Sequence, residues 1–287
     1  MKILISGHTG QVARELQRAL AQHELVSLGR ADFDLAQPQK LDEIILRERP
    51  ALVINAAAYT AVDQAEQERE LAFTINAEAP GAMANACFEL DIPLIHYSTD
   101  YVFDGSKATP YREADTPRPL GVYGASKVAG EQALRISGCD HLILRTSWVY
   151  SQHGRNFLLT MQRLLQEREQ LKVVDDQIGA PTWAGSIASA TAELIDKWQQ
   201  GRQRWGTYHL TCQGQTSWFG FASAIADRLR AQGKHCAELL PIPSSDYPTP
   251  ARRPLNSRLD GERLEQEWQI SLPHWEQALD ACLARQD

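Results

Sequence analysis

Two side chains that can move a proton stand four residues apart in this sequence, at Tyr123 and Lys127. On a helix this spacing places both on one face. A phenol has a reference pKa of about 10, so it exchanges protons poorly at neutral pH until a nearby cation lowers that pKa. The pair therefore predicts proton transfer by Tyr123, with Lys127 lowering the pKa of the phenol.

A run from Leu94 to Phe103 is typical of a strand whose carboxyl end carries hydroxyl groups, at Ser98 and Thr99. A hydroxyl beside Tyr123 can donate to a carbonyl oxygen and stabilise the negative charge that develops there during reduction. Ordinary strand propensity also explains both hydroxyls. Combined with the Tyr-Lys pair, the pattern predicts three catalytic residues: Tyr123, Lys127 and Thr99.

A turn at the start of the chain, Gly7-x-x-Gly10, follows a short apolar run and opens a helical pattern. Glycines allow a tight turn and a close approach to a pyrophosphate, whose charge the first amides of the helix can meet. Ala13 stands at the third small position of the usual dinucleotide fingerprint. The turn therefore predicts a dinucleotide site, with a purely structural turn as the alternative.

The residue that follows the second strand indicates which dinucleotide binds. An acidic residue there accepts from a free ribose 2′-hydroxyl, whereas Arg30 suits a 2′-phosphate and favours NADPH. A solvated surface arginine is the alternative. Asp34, next to Leu35, is expected to border the adenine or to cap a helix. Small residues around Ala58 could let the backbone approach the cofactor, or simply pack.

The first half alternates short apolar runs with helical patterns. The expected strands are 3–6, 25–28, 52–55, 94–97 and 142–145, and the expected helices are 11–22, 39–47, 70–90 and 123–136. Strands separated by helices imply parallel pairing. The fold class is therefore α/β, a Rossmann-like doubly wound parallel sheet with ligands at the carboxyl ends of its strands.

The pattern loosens after about residue 150. Amphipathic stretches at 156–169, 185–199 and 219–232 favour helices, and 172–174 and 207–210 favour short strands. Five prolines between Pro241 and Pro254 indicate a loop or an extended segment with a preset backbone. We expect a cofactor domain at 1–150 and, at 151–287, mainly a smaller α/β substrate-binding lobe, some of whose segments return to the first domain.

Composition narrows the function further. Lys and Arg total 29 against 36 Asp and Glu, a net charge of −7, which disfavours nucleic acid and anionic membranes as partners. The five cysteines are odd in number and form no Cys-x-x-Cys pair, which fits packing residues in a reducing cytoplasm. The apolar run at the N-terminus is too short for a signal peptide or a membrane span.

Taken together, Gly7-x-x-Gly10, Tyr123-x-x-x-Lys127 and the hydroxyl-bearing strand resemble the extended short-chain dehydrogenase/reductase family, which acts mostly on nucleotide sugars. Blocks along the whole chain are similar to one branch of it: 55–63, 98–103, 145–150, 176–182 and 247–259. The resemblance implies NADPH- or NADH-dependent reduction of the C4 keto group of dTDP-4-dehydro-L-rhamnose to dTDP-L-rhamnose, the last step of dTDP-rhamnose biosynthesis.

The resemblance also implies roles for individual residues. Tyr123 would protonate the C4 oxygen, Lys127 would also bind the nicotinamide ribose, and Thr99 would polarise the carbonyl. The cofactor contacts would be Gly7, Gly10, Gln11, Val12, Arg30, Asp34, Leu35, Ala58, Tyr59, Thr60, Tyr97, Tyr123 and Lys127. The substrate contacts would be Thr99, Asp100, Trp148, Arg252, Arg253 and Asn256. For the two arginines, the guanidinium fork matches phosphate oxygens, with surface solvation as the alternative.

Some points stay open from sequence. Certain members of the family carry Mg²⁺ at a carboxylate-lined dimer contact. Glu15 is a candidate ligand, but few acids accompany it, and a solvated glutamate on a helix is the favoured alternative. The resemblance therefore allows Mg²⁺, without assigned ligands, and a homodimer. Arg30 favours NADPH, and NADH stays open as a second cofactor. The alternative functions are a nucleotide-sugar epimerase or dehydratase that keeps a bound NAD, and a non-catalytic regulatory subunit of the same fold.

Overall fold

The computed structural model describes residues 1–285. Its strands are β1 (Lys2–Ser6), β2 (Glu24–Leu28), β3 (Leu52–Asn55), β4 (Leu94–Thr99), β5 (His141–Thr146), β6 (Val149–Tyr150), β7 (Gln170–Val174), β8 (Ile178–Gly179), β9 (Thr182–Trp183), β10 (Gly206–His209), β11 (Thr216–Ser217) and β12 (Glu238–Ile242). Its α-helices are α1 (Gln11–Ala19), α2 (Leu41–Glu48), α3 (Val62–Ala65), α4 (Arg69–Phe73), α5 (Ala79–Leu90), α6 (Val122–Ser137), α7 (Phe157–Glu167), α8 (Ala184–Gln199), α9 (Trp218–Ala231), α10 (Glu262–Trp268) and α11 (Trp275–Ala284).

The central sheet has six strands in the order β10-β5-β4-β3-β1-β2, and every pairing is parallel. β3 and β4 are buried along their whole length. A parallel sheet needs helices on both faces because its crossovers place them there. Accordingly, one apolar cluster lies between the sheet and helices α1 and α8, and a second lies between the sheet and helices α2 and α5. The predicted fold class is confirmed.

Strand order reverses between β1 and β3, and ligands of such sheets bind at this switch point. Chain geometry there depends on Gly7, whose φ is +92°. An L side chain rarely adopts that conformation. A Cβ added at Gly7 would also lie 3.4 Å from the Cβ of Ala57, which follows β3. The turn where the sequence predicts a dinucleotide therefore requires glycine at position 7.

Two segments of the second half return to the first. β10 pairs with β5 and completes the main sheet, and α8 packs against α1. The remaining strands of that half form two-stranded pairs: β7 with β12, β8 with β11, and β6 with β9. Pro241 lies within β12, so the proline-rich segment begins as a strand and continues as a loop.

The predicted helix at 70–90 is interrupted. α4 and α5 are joined by a π-helical turn, Thr74–Glu78, directly before Pro80 at the start of α5. A π turn admits an extra residue per turn and is frequent at functional sites. Here it brings Asn76 against helix α6. Within residues 1–285, no helix is both long and apolar enough to cross a membrane.

Candidate active site

Strand β4 ends at Thr99, and a 3-10 turn from Asp100 to Val102 follows at once. Thr99 caps that turn, because its Oγ1 accepts from the backbone amide of Tyr101 at 3.2 Å. The Thr99 hydroxyl donates to Asp100 Oδ1 at 2.9 Å. The chain therefore leaves the sheet with a hydroxyl and a carboxyl group side by side at its carboxyl edge.

Helix α6 carries Tyr123 and Lys127 on one face, as the spacing predicts. The side chain of Glu66 anchors its start, because Oε1 accepts from the Val122 amide at 2.8 Å. Gly124 lets the helix approach the turn after β4: a Cβ there would meet the carbonyl oxygen of Tyr101 at 2.2 Å. The residue between the two catalytic candidates thus fixes the distance from the helix to strand β4.

Tyr123 meets Thr99 across this gap. Burial raises the pKa of Tyr123 to about 12, while a hydrogen bond with Thr99 acts in the opposite direction. The ring also packs edge-on against Tyr101, with centroids 5.6 Å apart. The phenol therefore keeps its proton at neutral pH. Burial, Thr99 and Asp100 account for this shift, and the nitrogen of Lys127 donates to the Tyr97 carbonyl, so a lowering of the Tyr123 pKa by Lys127 stays a prediction.

Lys127 is buried, and its Nζ donates to the carbonyl oxygen of Tyr97 at 2.7 Å. The same nitrogen lies 3.2 Å from Nε2 of His96. Burial lowers the pKa of Lys127 to about 8, and the nearby carboxylate of Glu131 acts against that fall. Lys127 can therefore change protonation close to neutral pH, which an exposed lysine cannot do.

The pKa of Asp100 is shifted as well. Burial raises its pKa to about 6, and hydrogen bonds from Ser257 and Thr99 limit the rise. The proton of Thr99 is committed to Asp100 in this arrangement. To donate to a carbonyl oxygen, the Thr99 hydroxyl must rotate away from Asp100, and a protonated Asp100 releases it.

The turn at the start of α1 is suited to a pyrophosphate. Gly10 caps the helix without a side-chain hydrogen bond, and no acidic residue occupies the first turn. The first amides of the helix therefore face outward with a partial positive charge. The side chain of Gln11 points to the second half, where its Oε1 accepts from Ser151 at 3.1 Å and from Asn156 at 2.8 Å. Val12 is half-buried beside it.

Arg30 follows β2, and its side chain is 81% exposed, 3.6 Å from Asp34. Asp34 Oδ1 accepts from the Ala36 amide at 3.0 Å, so it closes a local turn. Leu35 is buried in the core beside α2. Of these three predicted contacts, Arg30 has the most exposed side chain, with its Nε paired to Asp34.

The segment after β3 is held by a residue that sequence reasoning missed. The Asn76 amide accepts from the Tyr59 backbone N–H at 2.9 Å and donates to the Tyr59 carbonyl at 3.0 Å. It also donates to Ser126 Oγ on α6, at 3.0 Å. The neighbours Ala58 and Thr60 are exposed. No sequence pattern marks Asn76, since its role depends on the π turn.

Two predicted contacts face away from the crevice. The phenol of Tyr97 shares a hydrogen bond of 2.8 Å with Thr191 on α8, so only its backbone carbonyl reaches the site. The amide of Asn256 donates to the carbonyls of Lys107 and Thr109, at 2.7 and 2.9 Å, and accepts from Arg258. The Asn256 amide thus ties the loop that carries the two arginines to the segment from Lys107 to Thr109, and its polar atoms are used in these bonds.

Those arginines differ from each other. Arg252 is exposed, whereas Arg253 is half-buried and its Nη2 donates to Asp63 at 3.0 Å. Nε of Arg253 is buried and has no hydrogen-bond partner within residues 1–285. The same loop brings Ser257 beside Asp100, which places the arginines at the catalytic edge of the cleft.

Trp148 lies on the far side of that cleft. Its φ of +48° is rare for a bulky residue and indicates backbone strain. The indole stacks on Trp218 with ring centroids 3.6 Å apart, and Gly179 packs against its edge. The neighbouring carbonyl of Ile178 accepts from the Ser257 amide at 2.7 Å, which links this aromatic surface to Asp100.

Glu15 does not fit a magnesium ligand. Its carboxylate is buried and pairs with Arg285 at 2.5 Å and with Arg18 at 3.7 Å. No group of three or more His, Cys, Asp or Glu residues could hold a metal within residues 1–285. Asp287, the last acid of the sequence, lies outside the described residues. Two guanidinium groups already neutralise the charge that a cation would meet.

A six-stranded doubly wound sheet, a Gly-x-x-Gly turn at its switch point, and a Tyr-x-x-x-Lys helix facing a hydroxyl-bearing strand define an extended short-chain dehydrogenase/reductase. Known proteins narrow the class. The family model described as the RmlD substrate binding domain matches residues 1–287. A dTDP-4-dehydrorhamnose reductase of Burkholderia thailandensis is 47% identical over 292 residues, covering 99% of this chain and 98% of that protein. The chain belongs to the dTDP-4-dehydrorhamnose reductase family.

Solved structures agree. A dTDP-4-dehydrorhamnose reductase of Bacillus anthracis, in complex with NADP, is 33% identical with a TM-score of 0.90, and the match covers 98% of each chain. One from Clostridium acetobutylicum is 35% identical with a TM-score of 0.91, covering 99% of this chain and 98% of that one. The likeness extends over both halves of the fold.

Proposed function

We propose that this chain is an NADPH-dependent oxidoreductase that reduces the C4 keto group of dTDP-4-dehydro-L-rhamnose to give dTDP-L-rhamnose, the last step of dTDP-rhamnose biosynthesis. One observation carries the proposal: a tyrosine whose burial keeps it protonated lies beside Thr99 at the carboxyl edge of the sheet. The names of its relatives, and the NADP held by the Bacillus anthracis protein, support the substrate and the cofactor.

The cofactor fits the crevice at the switch point. The outward-facing amides of α1 suit its pyrophosphate, and Arg30 suits the 2′-phosphate. When bound, NADPH supplies the hydride. Lys127, whose Nζ donates to the Tyr97 carbonyl, would bind the nicotinamide ribose. The other contacts we assign are Gly7, Gly10, Gln11, Val12, Asp34, Leu35, Ala58, Tyr59, Thr60 and Tyr123.

Proton chemistry falls to the helix and the strand end. The Tyr123 O–H donates its proton to the C4 oxygen, and Thr99 donates a hydrogen bond to the same oxygen as negative charge develops there. Asp100 holds Thr99 until the substrate arrives. Burial raises the pKa of Tyr123 and so protects the proton that the reaction needs.

The second half supplies the sugar-nucleotide contacts. Trp148 presents an aromatic surface to the sugar, and Arg252 and Arg253 face the diphosphate. The unpaired Nε of Arg253 supports the last assignment, because a buried guanidinium N–H without an acceptor is costly. We therefore assign residues 1–150 to the cofactor domain and 151–287 mainly to the substrate lobe. From that lobe β10 joins the main sheet and α8 packs against α1.

We also propose a location and a partner for the protein. Five free cysteines, four of them buried, support a reducing cytoplasm. The partner we assign is a dTDP-sugar, and a homodimer remains a prediction.

Net cofactor consumption tests the function. On adding dTDP-4-dehydro-L-rhamnose made in situ, the nicotinamide absorbance should fall by one equivalent for each sugar reduced. An epimerase or a dehydratase would regenerate its bound NAD and leave that absorbance unchanged. A regulatory subunit would bind the cofactor with no turnover, and the presence of Tyr123, Lys127 and Thr99 in one cluster disfavours that alternative.

Replacing Arg30 by aspartate should reverse the cofactor preference. A guanidinium paired with a phosphate contributes about 1.5–3 kcal/mol, so the ratio of kcat/KM for NADPH to that for NADH should fall by about tenfold or more. The matched control is Arg163→Asp, a charge reversal at a 60% exposed side chain on α7. Equal ratios in native enzyme and Arg30→Asp would show that Arg30 does not read the 2′-phosphate.

A further inference from the structure

We propose that His96, held by Asn55 and Ser6, is a positioning residue that sets the protonation of Lys127. This inference rests on the proposed function only for its catalytic consequence, because the hydrogen bonds that carry it belong to the protein alone. All four side chains are buried. They connect strands β1, β3 and β4 to helix α6.

The chain of contacts is continuous. Ser6 Oγ donates to Asn55 Oδ1 at 2.5 Å. Nδ2 of Asn55 lies 3.0 Å from Nδ1 of His96, and Nε2 of His96 lies 3.2 Å from Nζ of Lys127. Each strand contributes one residue, so the order of strands in the sheet assembles the network. No member of it interrupts the backbone pairing.

One backbone amide fixes the direction of these bonds. The Ala57 N–H can only donate, and it points at Asn55 Oδ1 from 3.3 Å. The other end of the amide, the NH₂ group, must therefore face His96. Because Nδ2 donates, Nδ1 of His96 must accept, and a neutral imidazole then carries its proton on Nε2. Burial lowers the pKa of His96 well below its usual value of 6.5, and Lys127 acts in the same direction, so the ring is neutral.

The Nε2–H of His96 consequently points at Lys127. A neutral amine can accept that hydrogen bond through its lone pair while still donating to the Tyr97 carbonyl. An ammonium has three donors and no lone pair, so it meets a second donor head-on. The network therefore complements the amine form of Lys127 and disfavours the ammonium form.

Another charged group near Lys127 is Glu131, which acts against the lowering of the lysine pKa and is itself paired with arginines. Glu131, one turn further along α6, favours the ammonium. Its carboxylate is already paired with Arg145 at 2.6 Å and with Arg135 at 2.9 Å. His141 on β5 acts on His96 and lies beyond it. His96 is thus the polar side chain in direct contact with Nζ that separates the two protonation states.

The amine form has a place in the reaction. When Tyr123 gives its proton to the C4 oxygen, its O–H bond breaks and a phenolate remains. Because Nζ points to His96 and the Tyr97 carbonyl, a bridging water passes its proton to the phenolate and takes one from the Lys127 ammonium, so that an N–H bond of the lysine breaks and the phenol is restored. The resulting amine accepts the Nε2–H of His96, and solvent returns the proton to Lys127 once the product has left. His96 thus favours the release of the proton without giving up its own.

Nuclear magnetic resonance reads the tautomer without any substrate. In protein labelled with ¹⁵N-histidine, two-bond ¹H–¹⁵N spectra near neutral pH should show His96 as the Nε2–H tautomer, with its signals assigned by their loss in His96→Gln. In Asn55→Asp the carboxylate accepts from Nδ1, so the ring should switch to an Nδ1–H or doubly protonated form. An Nδ1–H tautomer in the native protein would overturn the proposal.

The pH dependence of kcat/KM measures the effect of His96 on the pKa of Lys127. Since Tyr123 keeps its proton to a pKa of about 12, the alkaline fall in kcat/KM should follow Lys127, near pH 8. In His96→Gln the amide carbonyl of the new side chain can turn to accept from an ammonium, and in Asn55→Asp the ring changes tautomer. In both variants the pH at which kcat/KM falls on the alkaline side should rise by about one unit. His141→Gln on β5 is the control and should leave that pH unchanged.

These measurements distinguish a failure of the His96 proposal from a failure of the proposed function. If the alkaline fall in kcat/KM stays at its native pH in both variants, the role of His96 is refuted. A lower kcat alone would not support that role, because structural damage also lowers activity. A native protein with no turnover would count against the proposed function, while the tautomer measurement would still decide whether the network is built as described.

Discussion

Replacing Tyr123 by phenylalanine should lower kcat by about 10²–10⁴-fold, the usual contribution of a positioned general acid. The phenol meets Thr99 at the end of β4, and burial holds its proton with a pKa of about 12. Phenylalanine keeps the ring and its edge-on contact with Tyr101. NADPH affinity, measured by fluorescence titration, should therefore change little while steady-state reduction is nearly lost.

The matched control is Tyr208→Phe. Tyr208 is fully buried and its hydroxyl donates to the Arg204 carbonyl at 2.9 Å, but it lies on β10 outside the cleft. Its loss should affect stability more than turnover. If Tyr123→Phe kept native turnover, the assignment of the proton donor would be wrong.

Replacing Glu131 by glutamine should lower the free energy of unfolding by about 3–5 kcal/mol, the cost of leaving a buried charge without its partner. Arg145 binds this carboxylate through two parallel bonds, from Nε at 2.8 Å and Nη2 at 2.6 Å, and Ser98 donates to it at 2.7 Å. Burial would raise the pKa of Glu131, but the hydrogen bonds and charge of Arg145 hold it below 4.5. A glutamine NH₂ would face the guanidinium N–H as a second donor.

The free energy is measured by urea unfolding followed by circular dichroism, and in a thermal melt followed by the same signal Tm should fall by roughly 6–10 °C. Glu193→Gln is the control, since Glu193 is 50% exposed and pairs with Lys197 on the surface of α8. That pair should contribute about 0.5 kcal/mol or less. A loss in Glu131→Gln no larger than in Glu193→Gln would show that the Glu131–Arg145 pair does not hold α6 against β5.

The main sheet was largely predictable because each of its first five strands is a short apolar run next to a helical pattern. The sixth was harder. Residues 207–210 have a strand pattern, but pairing of β10 with β5 joins segments about sixty residues apart, and no local pattern encodes such a long-range parallel pairing. The π turn was also unpredictable, since the 70–90 pattern is helical throughout and the turn depends on packing around Asn76.

The site shows the same division. The spacing of Tyr123 and Lys127 predicted their shared helix face. It could not predict that Nζ points to His96 and to the Tyr97 carbonyl, because that depends on which strand lies under the helix. Asn256 illustrates the opposite error: a polar residue in an arginine-bearing loop suggested a substrate contact, whereas its amide binds the carbonyls of Lys107 and Thr109.

Hydride transfer from the cofactor to the sugar is the central claim, and isotopic labelling tests it most directly. The enzyme would be incubated with NADPH deuterated at the transferred position of the nicotinamide and with dTDP-4-dehydro-L-rhamnose, and the sugar nucleotide analysed by mass spectrometry and proton NMR. We predict one deuterium at C4 of dTDP-L-rhamnose for each NADPH oxidised. A converted sugar without deuterium, or a cofactor that keeps its label, would contradict the proposed reduction.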